Sequence, residues 1–145
     1  MKYMQRFKEI YNGLIKAYSF KPISVSENEI GLVGKGFILI FAFDLDNVLL
    51  FFITRDENNI LKKFNIDNFI SISFNEEDRK DIEPARTINE DINNILHIIL
   101  RGLQNHWKDL LEGNTQWMNQ YKMSEYYYPP HDLTKEEQEI VNQYI

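Results

Sequence analysis

The sequence predicts an α+β protein in which an antiparallel sheet of about four strands lies between an N-terminal helix and a C-terminal helical half. Three observations predict this fold. The chain begins with apolar side chains at helical spacing, continues with short apolar runs separated by turn residues, and returns to helical spacing in its last third. Because 145 residues is close to the commonest domain size, we expect one domain covering residues 1–145.

The first element is a helix. Apolar side chains recur at three- and four-residue steps from Tyr3 to Tyr18, which places them on one face. The helix is expected to end by Lys21-Pro22, because the residue before a proline disfavours the α conformation.

Four strands are predicted next. Glu29–Val33 comes first, and a glycine-containing turn leads to residues 37–43. Residues 48–54 are expected to pair antiparallel with them across the polar turn 44–47, and residues 60–66 add the fourth strand. The two central strands are apolar on successive residues, so helices are expected to cover at least part of each face of the sheet.

The second half of the chain is predicted to be helical. Thr87 and Glu90 have the spacing of a capping box, and an apolar stripe continues from Ile88 to Leu111. Gly113 then occupies the place of a C-terminal glycine cap. A short helix at 117–121, an extended segment at 126–131 and a last helix capped by residues 134–137 complete the chain.

The composition excludes several kinds of chemistry. The chain has no cysteine, so it can form no disulfide and offers no thiol nucleophile and no thiolate ligand for zinc. Its formal net charge of −6 repels phosphate backbones, so direct nucleic-acid binding is not expected. The three histidines lack metal-ligand spacing, and no phosphate loop, nucleophile elbow or dinucleotide fingerprint is present. We therefore expect neither a cofactor nor a metal site.

Residues 37–53 are the one candidate for a membrane span. Asp44, Asp46 and Asn47 interrupt this stretch, and an aspartate at the centre of a bilayer costs roughly 2.5–3.5 kcal/mol. The first eleven residues interleave charged and apolar side chains, unlike a signal peptide. We therefore expect a cytoplasmic protein that does not bind a membrane.

The run from Phe43 to Leu49 resembles the first motif of haloacid-dehalogenase-like phosphatases. That resemblance implies a nucleophilic Asp44 and an acid/base Asp46 beside magnesium. The motif belongs before a helix in a parallel βαβ sheet, yet another strand follows here, and no downstream lysine motif is present. A polar hairpin turn, for which Asp and Asn are favoured, explains the same residues. We therefore expect no enzyme.

Acidic side chains are concentrated in residues 56–91. This segment has ten acidic and five basic residues, which is −5 of the total −6. Such a field steers association with a basic partner, although a solvated surface would have the same composition. The candidate partner-binding residues in it are Asp56, Glu57, Glu76, Glu77, Asp78, Asp81 and Glu83.

A second candidate surface is aromatic. Tyr126, Tyr127 and Tyr128 stand before two prolines, and tyrosine is enriched at the energetic centres of protein interfaces. The alternative is that the same run packs as a strap across the protein's own helices.

The overall layout resembles that of small bacterial immunity proteins from polymorphic-toxin and contact-dependent growth-inhibition systems. The resemblance consists of the N-terminal helix, the apolar sheet, and a long helix that ends in residues 110–114 (Leu-Leu-Glu-Gly-Asn), followed by Trp117 and Tyr121. It implies a cytosolic inhibitor that binds a cognate toxin domain, often a basic nuclease, and blocks its active site. An alternative in the same functional class is a secretion chaperone, a dimer in which the stripe from Ile88 to Leu111 would form the interface.

Overall fold

Six antiparallel strands form one sheet, and their order in the sheet is their order in the sequence. The computed structural model describes residues 2–145. The strands are β1 Lys21–Ser26, β2 Glu29–Val33, β3 Phe37–Asp44, β4 Asn47–Arg55, β5 Leu61–Asn65 and β6 His131–Asp132. The helices are α1 Met4–Tyr18, α2 Asp67–Ser71, α3 Ile88–His106, α4 Lys108–Leu111, α5 Trp117–Met123 and α6 Lys135–Val141.

The two central strands pair as the sequence predicts. Asp44 of β3 lies opposite Asn47 of β4, which leaves Leu45 and Asp46 as the two residues of a tight turn. Leu45 has a φ of 55°, a left-handed conformation that glycine adopts more readily than leucine. Residues 37–43 are all buried, as expected for a strand that is covered on both faces.

Alternate side chains of β3 enter two different cores. Phe37, Leu39 and Phe41 belong to the larger core, which includes buried side chains of α1, α3, α4 and α5. Ile38 and Ile40 point to the other face of the sheet and belong to a smaller core that includes Val141 of α6. β3 is therefore covered by a hydrophobic core on each face of the sheet. This explains why the apolar pattern of the central strands is continuous rather than alternating.

The sheet has six strands, and the prediction of about four was wrong at the two edges. β1 contains Pro22, whose missing N–H is tolerated because β1 has a neighbour on one side only. β6 has only two residues, too few to produce a recognisable alternation. Both missed strands are edges, so the arrangement of the four predicted strands is unchanged.

The long C-terminal helix is interrupted earlier than its apolar stripe predicts. α3 ends at His106, and Trp107 leaves the helical conformation with φ −128° and ψ 36° before α4 begins. The indole Nε1–H of Trp107 donates to Ser73 Oγ over 2.7 Å, which draws the ring towards the segment after α2. Gly113, at φ 86°, follows α4 as predicted. Ile88, assigned to the stripe, is 61% exposed.

The predicted N-terminal capping is complete at α6 and partial at α3. Thr134 and Glu137 form a complete capping box at α6. At α3, Thr87 accepts a hydrogen bond from the Glu90 N–H, as expected. The Glu90 carboxylate, however, accepts from the backbone N–H of Arg86 over 2.7 Å, so it binds the loop before the helix.

Candidate functional site

The structure separates the predicted acidic residues into a turn and a loop. Asp56 and Glu57 lie in the turn after β4, whereas the others lie between α2 and α3. The last residues of that loop lie near the first residues of β4, as shown by the hollow that Asp46 and Ile88 both line. Asp56 and Glu57 follow the other end of β4. β4 has nine residues and so spans roughly 30 Å. Asp56 and Glu57 are therefore remote from that end of the loop.

The acidic loop, residues 72–87, runs antiparallel along α3. Near its middle, the Arg101 guanidinium donates to the backbone carbonyl of Lys80. Further on, the Asn94 side-chain amide donates to the carbonyl of Glu83 over 2.8 Å. α3 has 19 residues and is about 28 Å long, so the loop distributes its charges along an extended face.

Asp78 is buried within this loop and cannot be a partner-binding residue as predicted. Its side chain is 0% exposed, and its Oδ1 accepts from the Asn105 amide over 2.7 Å. Its Oδ2 accepts from the backbone N–H of Asn75, and His106 Nε2 lies 2.9 Å from the same oxygen. Burial alone would raise the pKa of Asp78, but the hydrogen bonds from Asn75, Asn105 and His106 lower it below its ordinary value. Asp78 therefore fixes the first half of the loop to the end of α3.

The remaining carboxylates of the loop point to solvent. Over residues 75–91 there are seven acidic and three basic side chains, a net charge of −4. We call the exposed acidic residues of this region the acidic strip, and none of its members takes part in an ion pair within the described residues. The acidic strip consists of Glu76, Glu77, Asp81, Glu83 and Glu90.

The tyrosine run is a strap on the larger core, with one exposed member. Tyr127 is half-buried, and its ring stands edge-on to Tyr121 with centroids 5.3 Å apart. The Tyr121 hydroxyl donates to Asn65 O over 2.7 Å and accepts from the Tyr128 N–H over 3.2 Å. These contacts favour the strap interpretation for Tyr127, while Tyr126 is partly buried and Tyr128 remains 48% exposed.

Asp44 and Asp46 lie at an exposed hairpin and not at the end of a parallel strand. The chain after Asp46 returns directly as β4, so the βαβ crossover that the phosphatase motif requires is not formed. Nowhere in residues 2–145 do three His, Asp or Glu side chains converge as metal ligands.

A hollow that the sequence did not indicate lies beside the acidic loop. Its volume is about 240 Å³, and it opens between β4, α2 and α3. The apolar lining comes from Val48, Leu50, Phe74, Ile95, Ile98 and Ile99. Its polar lining comes from Asn47, Asp67, Ser71 and Arg79. We call it the Asp67 hollow.

Asp67 is a partly buried carboxylate on this apolar background. Its Oδ1 accepts the backbone N–H of Leu50 over 3.0 Å. Burial raises the pKa of Asp67, and the bond from Leu50 only partly offsets that effect. The sequence gives no signal for this site, because Asp67 and Leu50 are brought together by the return of the chain after β5.

A second buried polar group is structural. Lys63 Nζ lies 2.6 Å from Glu29 Oε2 and 2.9 Å from Glu137 Oε2, so it connects β5 with β2 and with α6. Burial opposes the charge of Lys63, but the bonds to Glu137 and Glu29 raise its pKa above the ordinary value. This group fixes α6 over the smaller core.

The apolar stripe of α3 is used within the chain. Ile92, Leu96, Ile99 and Leu103 are buried in the larger core. A dimer interface formed by this stripe, as the secretion-chaperone alternative requires, would compete with the protein's own core.

Comparison of the chain with protein-family models, with curated proteins and with solved structures found no match. Within the described part of the chain, no helix has both the length and the apolar character needed to cross a bilayer.

Proposed function

We propose that this protein is an immunity protein that binds and neutralises a basic protein toxin domain, with the acidic strip as the surface that meets the partner. The observation that carries the proposal is the placement of unpaired carboxylates along one face of α3. Attraction between an acidic surface and a basic partner raises the association rate. An inhibitor of a lethal enzyme needs such fast association.

The acidic loop is held in place before any partner arrives. The hydrogen bonds from Arg101 and Asn94 to loop carbonyls, together with the buried Asp78, fix the loop backbone against α3 at three points. A surface that is ordered in advance loses less conformational entropy when it binds. The loop therefore supports a role as a binding surface better than a flexible acidic tail would.

Charge reversal of the acidic strip tests the proposal. The partner to use is the product of the gene adjacent to this one, which the proposal expects to contain the toxin domain. In the triple variant Glu76→Lys, Glu77→Lys and Glu83→Lys, the association rate at low salt should fall roughly tenfold or more, and its salt dependence should become flatter. Asp78 is left unchanged because its side chain is buried, so a lysine at this position would disrupt folding. Association is measured by stopped flow at several salt concentrations.

A matched variant controls for net charge. Glu27→Lys, Glu125→Lys and Glu139→Lys changes the same number of exposed glutamates away from the acidic strip. Its association rate should fall much less. Equal losses in the two triple variants would assign the effect to total charge, and no binding by the wild-type chain would refute the immunity function.

The proposal also implies that Asp44 is not a nucleophile. Purified protein with magnesium should hydrolyse an aryl phosphate no faster than the buffer does, because the hairpin gives Asp44 none of the phosphatase geometry. Turnover that is lost in Asp44→Asn would contradict this expectation.

A further inference from the structure

The size of the Asp67 hollow limits what it can hold. Small-molecule and cofactor sites usually enclose roughly 300–1,000 Å³. At about 240 Å³ the hollow is smaller than these, and Phe74 and Arg79 of the acidic loop contribute to its lining. This volume suits a single protruding side chain of another protein. The isoleucine walls from α3 suit the apolar stem of such a side chain.

The polar atoms of the hollow favour a positively charged donor. Oδ1 of Asp67 already accepts from Leu50, whereas Oδ2 has no hydrogen-bond partner and no ion pair among residues 2–145. A carboxylate only accepts, so Oδ2 is available to an entering N–H group. Arg79 is the one basic side chain in the lining. It is exposed, and its guanidinium donates to Asn75 O over 3.2 Å, so solvent screens its charge more than that of Asp67.

Burial also opposes the charge of Asp67 in the free protein. Burial raises its pKa, so ionisation of this carboxyl is less favourable in the folded protein than in the unfolded chain. Asparagine would keep an oxygen for the Leu50 N–H without this penalty. A half-buried carboxylate whose second oxygen has no hydrogen-bond or ion-pair partner among the described residues is a candidate for contact with a ligand.

We propose that the Asp67 hollow receives one lysine or arginine side chain of a basic partner protein, whose stem packs on Ile95 and Ile99 and whose cationic end binds the Asp67 carboxylate. The basic character of the partner rests on the proposed function, whereas the preference for an alkyl cation rests on the hollow itself. The acidic strip then accelerates the encounter, and the hollow slows dissociation.

Small alkyl cations test the hollow without the partner. Butylguanidinium and butylammonium are titrated into the full chain, and the methyl resonances of Ile95, Ile98 and Ile99 are followed by NMR. Both cations should bind with a Kd of about millimolar order, as expected for ligands of this size. Butanol and butyrate serve as neutral and anionic controls. The cations should bind at least tenfold more weakly to Asp67→Asn. Equal binding to Asp67→Asn, or tighter binding of butyrate, would overturn the proposal.

The same variant is then tested against the toxin domain. Asp67→Asn should be at least as stable as the wild type and should dissociate tenfold or more faster, with little change in the association rate. Asp46→Asn removes an aspartate from the nearby hairpin outside the hollow and should leave dissociation nearly unchanged. Similar effects of both variants would overturn the hollow as an anchor. If the wild-type chain does not bind the toxin, the proposed function fails, and the alkyl-cation titration still decides on the hollow.

Discussion

At the scale of single residues, burial decides between acidic side chains that the sequence presents as equivalent. Glu76, Glu77 and Asp78 are consecutive, yet only Asp78 turns inwards to meet Asn105 and His106. Its partners are 27 and 28 residues away in the chain, so nothing local in the sequence distinguishes it. The sequence predicts the density of carboxylates. Which of them is buried and which are exposed depends on the contact between Asp78 and α3, which only the structure shows.

Asp78→Asn should destabilise the protein at neutral pH. The side-chain NH2 group of the new asparagine would face groups that donate to the carboxylate in the wild type, so at least one donor would lose its acceptor. Each buried polar group left unsatisfied costs about 1–3 kcal/mol. Because the pKa of Asp78 is lowered by folding, its stabilising effect is present above the ordinary aspartate value of about 3.9 and is lost as the pH falls through the lower folded value. Urea unfolding across this pH range should show the difference between wild type and Asp78→Asn narrowing towards acid. A difference that does not change with pH would contradict the role assigned to the carboxylate.

At the scale of elements, α3 and the acidic loop meet at a glycine. Gly102 lies inside α3, and a Cβ at this position would overlap the ring of Phe74, which belongs to the loop and lines the Asp67 hollow. Glycine is unfavourable in the middle of a helix, so its presence here reflects the close approach of Phe74. The same contact therefore positions both the loop and one wall of the hollow.

Gly102→Ala should lower stability although alanine is the better helix former. Overpacking at such a contact costs about 1–3 kcal/mol, more than the gain of up to ~1 kcal/mol in helix propensity. Gly13→Ala in α1 is the matched control, since nothing lies within 4 Å of its added Cβ, and it should raise stability by up to ~1 kcal/mol. Thermal unfolding of the two variants gives the comparison. A stabilised Gly102→Ala would show that Phe74 moves aside freely.

The elements that the sequence predicted correctly are those with a long local signal. α1 and the four inner strands follow from periodicity and turn residues, and α6 follows from its capping box. The break at Trp107 was not predictable, because the stripe continues through it and the cause is a hydrogen bond to distant Ser73. α2 and β6 are too short to show a period. The Asp67 hollow needs three elements together, so no local pattern could indicate it.

At the scale of the whole molecule, the two cores share the central strands. Residues of β3 alternate between the larger and the smaller core, so one strand contributes to both. We therefore expect one cooperative unfolding transition. The fluorescence of Trp107 and Trp117 reports on the larger core, and the amide signals of Ile38 and Ile40 report on the strand that both cores share. The amide NMR signals of α6 should disappear at the same unfolding midpoint as these two probes. Loss of the α6 signals at a lower denaturant concentration would contradict a single cooperative transition.

The order of the strands has a consequence for how quickly the protein becomes functional after synthesis. From β1 to β5, each strand pairs with the next strand along the chain, so most of the sheet can assemble through short loop closures, and only β6 returns from a distance. Chains rich in such local contacts fold faster than those that must first join remote segments. Under the proposed immunity function, rapid folding on release from the ribosome would shorten the interval in which the toxin is unopposed.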